Sequence, residues 1–269
     1  MSRSVSRART AEHQRRRNGQ GRGDLPLLKT MNIYPSNFKS PFKPTCLDDF
    51  VISDESSRLQ LQSILSGKQP FPLFGRNAVL LWGTYGTGKT TLALLLPQLL
   101  EESGAMVGSH RAADLFTSSR YWHLTECALG SNSVTMVSDL NERSKSMVAT
   151  SPSGWHYEVL DEVDLLTPAA QASLKTAITH ANSTIFVLTT NHLSKVDQGI
   201  RDRSVLVEMN QPKPADCRLL GQRILQRMGL RGNEVTEGEL DNFATASRGS
   251  IRDFGSAVAI RGIAVGGVI

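Results

Sequence analysis

The sequence contains few cysteines and no long hydrophobic segment. Its three cysteines, Cys46, Cys127 and Cys217, lie far apart among 269 residues, and its six histidines are scattered. This spacing excludes a disulfide framework, predicts no structural transition-metal site and is typical of a protein from a reducing compartment. No apolar segment approaches the about 20 residues that a membrane-spanning helix requires, so a membrane-spanning role is excluded as well.

Positive charge is unevenly distributed along the chain. The formal net charge is +5, yet residues 1–23 contain seven arginines and one acid, so the remaining residues are nearly neutral together. Residues 1–34 have little apolar surface to bury and are predicted to form a disordered basic tail. Two interpretations of this tail stay open: it binds nucleic acid through the phosphates, or it is a solvated leader without a specific partner.

Strand-like and helix-like segments alternate between residues 78 and 207. The predicted strands are 78–82, 105–107, 121–124, 157–160, 184–189 and 205–207, and the predicted helices among them include 90–101, 140–148 and 167–179. This alternation predicts an α/β fold with a parallel sheet flanked by helices. Strand-like segments stop at 211–214, and helices are predicted at 215–228, 237–246 and 250–258. The predicted domains are therefore 35–211, an α/β nucleotide-binding domain, and 212–269, a small all-helical lid.

The segment from Gly83 to Thr90 matches the phosphate-binding pattern G-x-x-x-x-G-K-[ST] and lies between a predicted strand and a predicted helix. Glycines allow consecutive backbone N–H groups to surround phosphate oxygens, and the helix N-terminus attracts the same anion. Lys89 is predicted to contact the β- and γ-phosphates of ATP, and the Thr90 hydroxyl to bind Mg²⁺. The complete predicted phosphate-binding set is Gly83, Thr84, Tyr85, Gly86, Thr87, Gly88, Lys89, Thr90 and Thr91.

An acidic segment follows the predicted strand 157–160. Asp161 is predicted to hold Mg²⁺, directly or through water, and Glu162 to act as the general base that polarises the attacking water. Acids also favour helix N-termini, and Asp164 is interpreted as a helix N-cap ahead of Leu165.

Two further side chains, Asn191 and Arg203, are candidates for roles in ATP hydrolysis. Asn191 follows strand 184–189, whose carboxyl end borders the ligand crevice, so it is predicted to bond the γ-phosphate or the attacking water; a turn residue is the alternative. Arg203 is predicted to stabilise transition-state charge in the site of a neighbouring subunit. The alternative for Arg203 is a surface ion pair with Asp202 or Asp197.

A further candidate, Arg252, lies near the C-terminal end of the sequence. Ser250 suits a helix N-cap, which places Arg252 in the first helical turn, where a cation opposes the helix dipole. A cation at this position lowers helix stability slightly, which indicates another role, such as contact with a nucleotide phosphate. Arg248 is a competing candidate for that role.

In this order, the motifs resemble those of AAA+ ATPases, a class of P-loop NTPases, and most closely those of clamp-loader subunits such as replication factor C small subunits. Residues 42–51, here named the strap, resemble the segment "RPxxLDDxVG", and 161–164 resemble the "DExD" box. Residues 170–174 are similar to "AQxAL", 189–191 (Thr-Thr-Asn) to sensor 1, Arg203 to the arginine of "SRC" and 249–252 to sensor 2. Departures include Tyr85 in place of a common proline, and Asp202 and Ser204 in place of the serine and cysteine of "SRC".

The resemblance implies ATP and Mg²⁺ as cofactors, hydrolysis of ATP, and Val51 of the strap in contact with adenine. It also implies a cytoplasmic, nucleoid or viral replication site, with DNA, other AAA+ subunits in a homo- or hetero-oligomer, and a sliding clamp as partners. The collar domain of clamp loaders has no counterpart in the sequence. Remodelling of a DNA-bound assembly in DNA replication is the expected function. The alternatives are a nucleotide-gated module that binds DNA or a partner with little turnover, and a branch-migration or transposition ATPase.

Overall fold

The computed structural model describes residues 42–102, 122–127, 135, 137–140, 142, 153–181, 183–231 and 234–268. The predicted tail 1–34, the predicted strand 105–107 and most of the predicted helix 140–148 lie outside these residues. In the described parts of the chain, no helix is both long and apolar enough to cross a membrane.

A parallel sheet is the centre of the fold. Its five described strands, in the order β2-β3-β4-β1-β5, are β1 (Ala78–Trp82), β2 (Trp122–Glu126), β3 (His156–Asp161), β4 (Thr184–Thr190) and β5 (Ser204–Glu208). All residues of β4 are buried, as are all but the last of β1 and of β3, as expected for parallel strands covered on both faces. The predicted parallel α/β fold is confirmed.

Helices cover both faces of this sheet. They are α1 (Glu55–Leu65), α2 (Lys89–Glu102), α3 (Pro168–His180) and α4 (Gln198–Asp202). The first two pack on the face that carries Tyr157 and Val187, and the other two on the face that carries Leu80 and Phe186. Because side chains alternate along a strand, each strand contributes to both cores. All strands run the same way, so the loops that follow β1, β3 and β4 meet at one edge.

Helices alone make up the described chain beyond Glu208. They are a 3-10 turn (Pro214–Cys217), α5 (Arg218–Arg227), α6 (Glu237–Ala246) and α7 (Ile251–Ala264), and α5 to α7 are named here the C-terminal helices. These helices share a core around Phe254, which Val51 of the strap joins. The last helix runs six residues beyond its predicted end because Ala259 and Gly262 still face this core. The domain boundary at 211 stays a prediction.

The strap is tied to the C-terminal helices by a buried carboxylate. Asp49 is 3% exposed, and its two oxygens accept hydrogen bonds from Arg223 (2.8 Å) and Arg227 (3.1 Å) of α5. Burial alone would raise the pKa of Asp49, but the backbone N–H of Thr45 and the two guanidinium groups outweigh it and hold that pKa below its ordinary value. The guanidinium of Arg227 also lies 4.6 Å from the ring centre of Phe42.

Candidate nucleotide-binding site

The loop between β1 and α2 has the backbone geometry of a phosphate cradle. Gly83, Gly86 and Gly88 all have positive φ angles, which a residue with a side chain adopts only with strain. Gly83 has a second constraint, because a Cβ atom there would overlap the backbone of Met209, next to β5. The loop leads directly into α2, which begins at Lys89, and the first N–H groups of a helix lack helical partners and attract anions.

Lys89 lies inside this loop. Its side chain is buried, and its Nζ donates hydrogen bonds to the carbonyl oxygens of Gly83 (3.0 Å) and Thr84 (2.5 Å). Burial lowers the pKa of Lys89, while the carboxylates of the acidic segment oppose this effect. The ammonium group therefore lies where a phosphate oxygen would compete for the same hydrogen bonds.

Thr90 and Asp161 meet at the edge of the sheet, as predicted for ligands of one cation. The Thr90 hydroxyl is 2.9 Å and 3.1 Å from the two carboxylate oxygens of Asp161. Neighbouring ligands of an octahedral Mg²⁺ at 2.0–2.1 Å are about 2.9 Å apart. Two hard oxygen ligands at this separation fit Mg²⁺. Thr189 of β4 donates a short hydrogen bond to the same carboxylate and fixes its orientation.

Glu162 stands in an unusual backbone conformation. Its φ and ψ angles are 59° and 51°, the left-handed region that residues other than glycine, asparagine and aspartate rarely adopt. Its backbone N–H donates to the Thr189 hydroxyl (2.9 Å), and its side chain accepts a hydrogen bond from Asn191 Nδ2 (3.2 Å). The structure thus brings together the predicted base and the predicted polar helper, and strain of this kind recurs at functional sites.

The interpretation of Asp164 as an N-cap is wrong. Asp164 lies inside a 3-10 turn (Val163–Leu165), and its Oδ1 accepts hydrogen bonds from the Thr190 hydroxyl (2.8 Å) and the Asn191 N–H (3.4 Å). The left-handed turn at Glu162 directs the following chain towards the end of β4. Asp164 therefore holds the end of that strand, and with it Asn191, in place.

The N-terminus of α7 contacts the phosphate loop. The backbone N–H groups of Ile251 (2.9 Å) and Arg252 (3.2 Å) both point at the carbonyl oxygen of Gly86. Ser250 caps α7 as predicted, and its hydroxyl lies 2.8 Å from where a Cβ atom of residue 86 would be. The Arg252 side chain is exposed, while its backbone contacts the loop, and its contact with a nucleotide phosphate stays a prediction. Arg248, the competing candidate, is exposed and has a positive φ angle.

Arg203 lies away from the phosphate loop of its own chain. Its carbonyl oxygen pairs with the N–H of Ala78 at the start of β1, whereas the loop follows the end of that strand, about 16 Å away. Its guanidinium donates to the carbonyl oxygen of Gly199 (2.9 Å). The alternative ion pairs are not formed among the described residues, where Asp197 pairs with Lys175 and Asp202 accepts from Gln198.

Val51 is buried in the core of the C-terminal helices and lines an open cavity of about 420 Å³. Leu219 and Leu220 of α5 form another part of the wall of this cavity. Half of the lining residues are polar, including Arg58 and Asp216, and the lining includes no residue of the phosphate loop. Contact with adenine stays a prediction for Val51.

Sequence reasoning gives the hydroxyls of the threonines at the end of β4 no role. It places Thr189 in a strand and Thr190 directly after it, because β-branched residues favour strands, and it includes both only in the resemblance to sensor 1. In the structure both are buried and hold the two acids, Asp161 and Asp164. Polar side chains at the carboxyl end of an otherwise apolar parallel strand are a signal that could reveal them.

A second unexpected link joins the phosphate loop to the residue after Asn191. The hydroxyl of Tyr85 lies 3.4 Å from His192 Nε2, and the two rings meet edge to face. Tyr85 stands where the clamp-loader pattern often has proline, so its side chain supplies a contact that proline lacks.

Comparison with known proteins agrees with this geometry. Residues 79–210 match the family described as "ATPase family associated with various cellular activities (AAA)". Replication factor C small subunit 1 of Pyrobaculum islandicum is 26% identical over 215 residues, which are 78% of this chain and 57% of that protein. The replication factor C small subunit of Methanoculleus marisnigri is 27% identical over 216 residues, 78% of this chain and 58% of that protein. The chain thus spans less than two thirds of the length of these relatives.

Solved structures with the same fold include RuvB of Thermotoga maritima. A RuvB variant matches with a TM-score of 0.57 and 20% identity over 81% of this chain and 63% of that one. The structure of the RuvB Holliday junction branch migration motor matches with a TM-score of 0.52 and 19% identity, over the same shares of the two chains. Residues 79–210 therefore match the AAA family of ATPases, and the chain is similar in sequence to replication factor C small subunits over 78% of its length.

Proposed function

We propose that the chain binds Mg²⁺ and ATP at the edge formed by β1, β3 and β4 and hydrolyses the β–γ phosphate bond. The observation that carries the proposal is the hydrogen-bonded set in which Thr90 and Thr189 hold Asp161 while Asn191 holds Glu162. Each of these groups stands next to the phosphate loop with a partner that fixes its position. Such preorganisation is what phosphoryl transfer to water requires.

The residues of the proposed site have different chemical roles. Lys89 exchanges the carbonyl oxygens of Gly83 and Thr84 for phosphate oxygens and so binds the triphosphate. When bound, Mg²⁺ supplies positive charge that neutralises the phosphates, and Thr90 and Asp161 are its protein ligands. The carboxylate of Glu162 accepts the proton of the attacking water, and the Asn191 amide orients that carboxylate and water together.

A substitution at Glu162 tests this assignment. Glu162→Gln keeps the shape of the side chain but cannot accept the proton, so we expect ATP to bind normally and phosphate release to fall at least about 100-fold. Glu102→Gln, at the exposed far end of α2, is the matched control and keeps wild-type turnover. Wild-type phosphate release by the Glu162 variant would refute its role as base. Negligible release by the wild-type chain itself, with or without DNA, would favour the nucleotide-gated module instead.

We further propose that the active form is an oligomer in which Arg203 completes the site of a neighbouring subunit. Arg203 is about 16 Å from its own phosphate loop and forms no described ion pair, which supports action on another chain. Lys89→Ala and Arg203→Ala chains should each be inactive alone. Mixed, they should regain part of the ATPase activity, because the first supplies an arginine to the intact loop of the second. A mixture that stays inactive would contradict action between subunits.

The similarity to replication factor C small subunits supports a role in DNA replication, in the cytoplasm, on DNA and together with a sliding clamp. This role predicts that primed DNA accelerates phosphate release. The same measurement on a four-way junction tests the branch-migration alternative, since such a motor would respond to the junction more strongly than to primed DNA.

A further inference from the structure

Three side chains with metal-ligating atoms meet on one face of the sheet. They are His123 of β2 and His156 and Glu158 of β3, and their ligating atoms all lie within 4.8 Å of one another. His156 Nε2 is 2.9 Å from Glu158 Oε1, and the two imidazole rings have centres 5.2 Å apart. No part of the nucleotide site described above includes these residues.

Strand pairing explains how residues so distant in sequence come together. His123 stands directly opposite Glu158 in the parallel pair of β2 and β3. His156 precedes Glu158 by two residues and therefore points to the same face, the one covered by α3. This arrangement is fixed by the backbone of the sheet, so the ligands are held in place without a loop.

His156 and Glu158 are buried, His123 is partly exposed, and polar atoms in and beside this cluster lack hydrogen-bond partners among the described residues. His156 is 3% exposed and Glu158 is 0% exposed, and the Oε2 atom of Glu158 has no hydrogen-bond partner among the described residues. Thr184, which is opposite His156 on β4, is also fully buried, and its hydroxyl likewise finds no partner in the described parts of the chain. A carboxylate out of water is costly unless a cation or several donors compensate its charge.

We propose that His123, His156 and Glu158 bind one divalent cation of the zinc type. Two imidazoles and one carboxylate are a donor set that suits Zn²⁺ and disfavours Mg²⁺ and Ca²⁺, which prefer oxygen ligands alone. Tetrahedral ligands of Zn²⁺ lie about 3.3 Å apart, so small side-chain rotations from the present separations are sufficient. The free oxygen of Glu158 gains a partner, and water takes the fourth position.

The distance of this site from the nucleotide-binding residues supports a structural role. Glu158 precedes Asp161 by three residues, which places it about 10 Å along β3 from the predicted Mg²⁺ ligands. The cation joins β2, the outermost of the described strands on that side, to β3 and so secures the strand that borders Asp161. The sequence-based expectation of no transition-metal site rests on the spacing of the histidines, which cannot reveal pairing between parallel strands.

Binding is tested on the untagged full chain after treatment with a chelator. Excess Mg²⁺ is present, so that the predicted Mg²⁺ site at Thr90 and Asp161 is saturated. Calorimetric titration with Zn²⁺ should give one equivalent bound and a higher melting temperature. His123→Gln should weaken binding at least about 100-fold, more than the removal of an outer-shell partner would. His180→Ala, an exposed histidine at the end of α3, should bind as the wild type does. No binding to the wild-type chain, or equal binding by the His123 variant, overturns the proposal.

X-ray absorption on the zinc-loaded wild-type chain gives a second readout that does not depend on any variant. Two imidazole ligands and only nitrogen or oxygen neighbours are expected. A sulfur ligand would place the ion at a cysteine and would overturn the proposal, as would a spectrum with fewer than two imidazoles.

Discussion

At the scale of single residues, hydroxyl groups at the end of β4 organise the carboxylates of the site. Thr189 both donates to Asp161 and accepts from the backbone of Glu162, so one side chain positions the predicted metal ligand and the predicted base. The backbone of Glu162 is in the left-handed conformation, so its N–H donates to the Thr189 hydroxyl and not to a carbonyl oxygen of a helix or strand. Without this bond the strained backbone of Glu162 would lose a restraint.

Removing the Thr189 hydroxyl should therefore impair turnover more than nucleotide binding. We expect Thr189→Val, which keeps the shape of the side chain, to lower kcat about 10- to 100-fold while the Kd for ATP changes by less than about threefold. Thr176→Val, on the exposed side of α3, is the control because its hydroxyl bonds only to its own helix. Equal kcat values for the Thr189 variant and the wild type would remove Thr189 from the mechanism.

Single residues also show which parts of the site can be predicted from sequence and which cannot. The phosphate loop and the acidic segment can be identified because glycine, lysine and acids at fixed spacing have few other uses. The partners of these residues, such as Thr189 for Asp161, depend on which strands become neighbours, and sequence alone does not give that order. The prediction for Asp164 is wrong for the same reason, since its contacts with Thr190 form only once β3 and β4 are paired.

At the scale of elements, the strap and α5 are joined more firmly than their sequences indicate. The strap lacks a hydrophobic period, and besides the apolar contact of Val51 its attachment includes Asp49, which is buried between two arginines of α5. Most of the described strands and helices are predictable to within a few residues because apolar runs and caps are local signals. The attachment of the strap is not predictable in this way, because an ion pair that joins residues more than 170 positions apart leaves no local pattern.

Removal of the Asp49 carboxylate should loosen this attachment. We expect Asp49→Ala to lower the free energy of unfolding by about 2 kcal/mol, as for other charged hydrogen bonds that are partly shielded from water. Asp48→Ala, the adjacent exposed acid, should change it by less than about 0.5 kcal/mol. Urea unfolding of the wild type and the two variants measures both effects, and equal destabilisation by the two substitutions would contradict the account.

The same ion pair predicts a dependence on pH. Because the folded-state pKa of Asp49 is below its ordinary value of 3.8, its contribution is fully present above that value and is lost as the pH falls through the folded pKa. The stability difference between wild type and Asp49→Ala should therefore be constant above about pH 5 and shrink below about pH 4. A stability difference between wild type and Asp49→Ala that grows as the pH falls would contradict this prediction.

At the scale of the whole molecule, positive charge is concentrated at the N-terminal end of the sequence. The arginines of residues 1–23 account for the excess of positive charge, and the rest of the chain is nearly neutral. If the tail binds phosphates, then deletion of residues 2–23 should flatten the salt dependence of DNA affinity by about 0.9 in the log–log slope for each phosphate that the tail neutralises. Replacement of the seven arginines by glutamine should have the same effect at full length. An unchanged slope would exclude the tail from DNA binding.

The central claim is that backbone amides and Lys89 hold a triphosphate whose Mg²⁺ is bound by Thr90 and Asp161, and calorimetric titration with Mg·ATP tests it most directly. We expect one nucleotide per chain for the wild type and for Lys68→Ala, an exposed lysine outside the loop. For Lys89→Ala we expect affinity at least about 30-fold lower. Absence of any heat of binding from the folded wild-type chain, or an undiminished affinity of the Lys89 variant, would contradict the account.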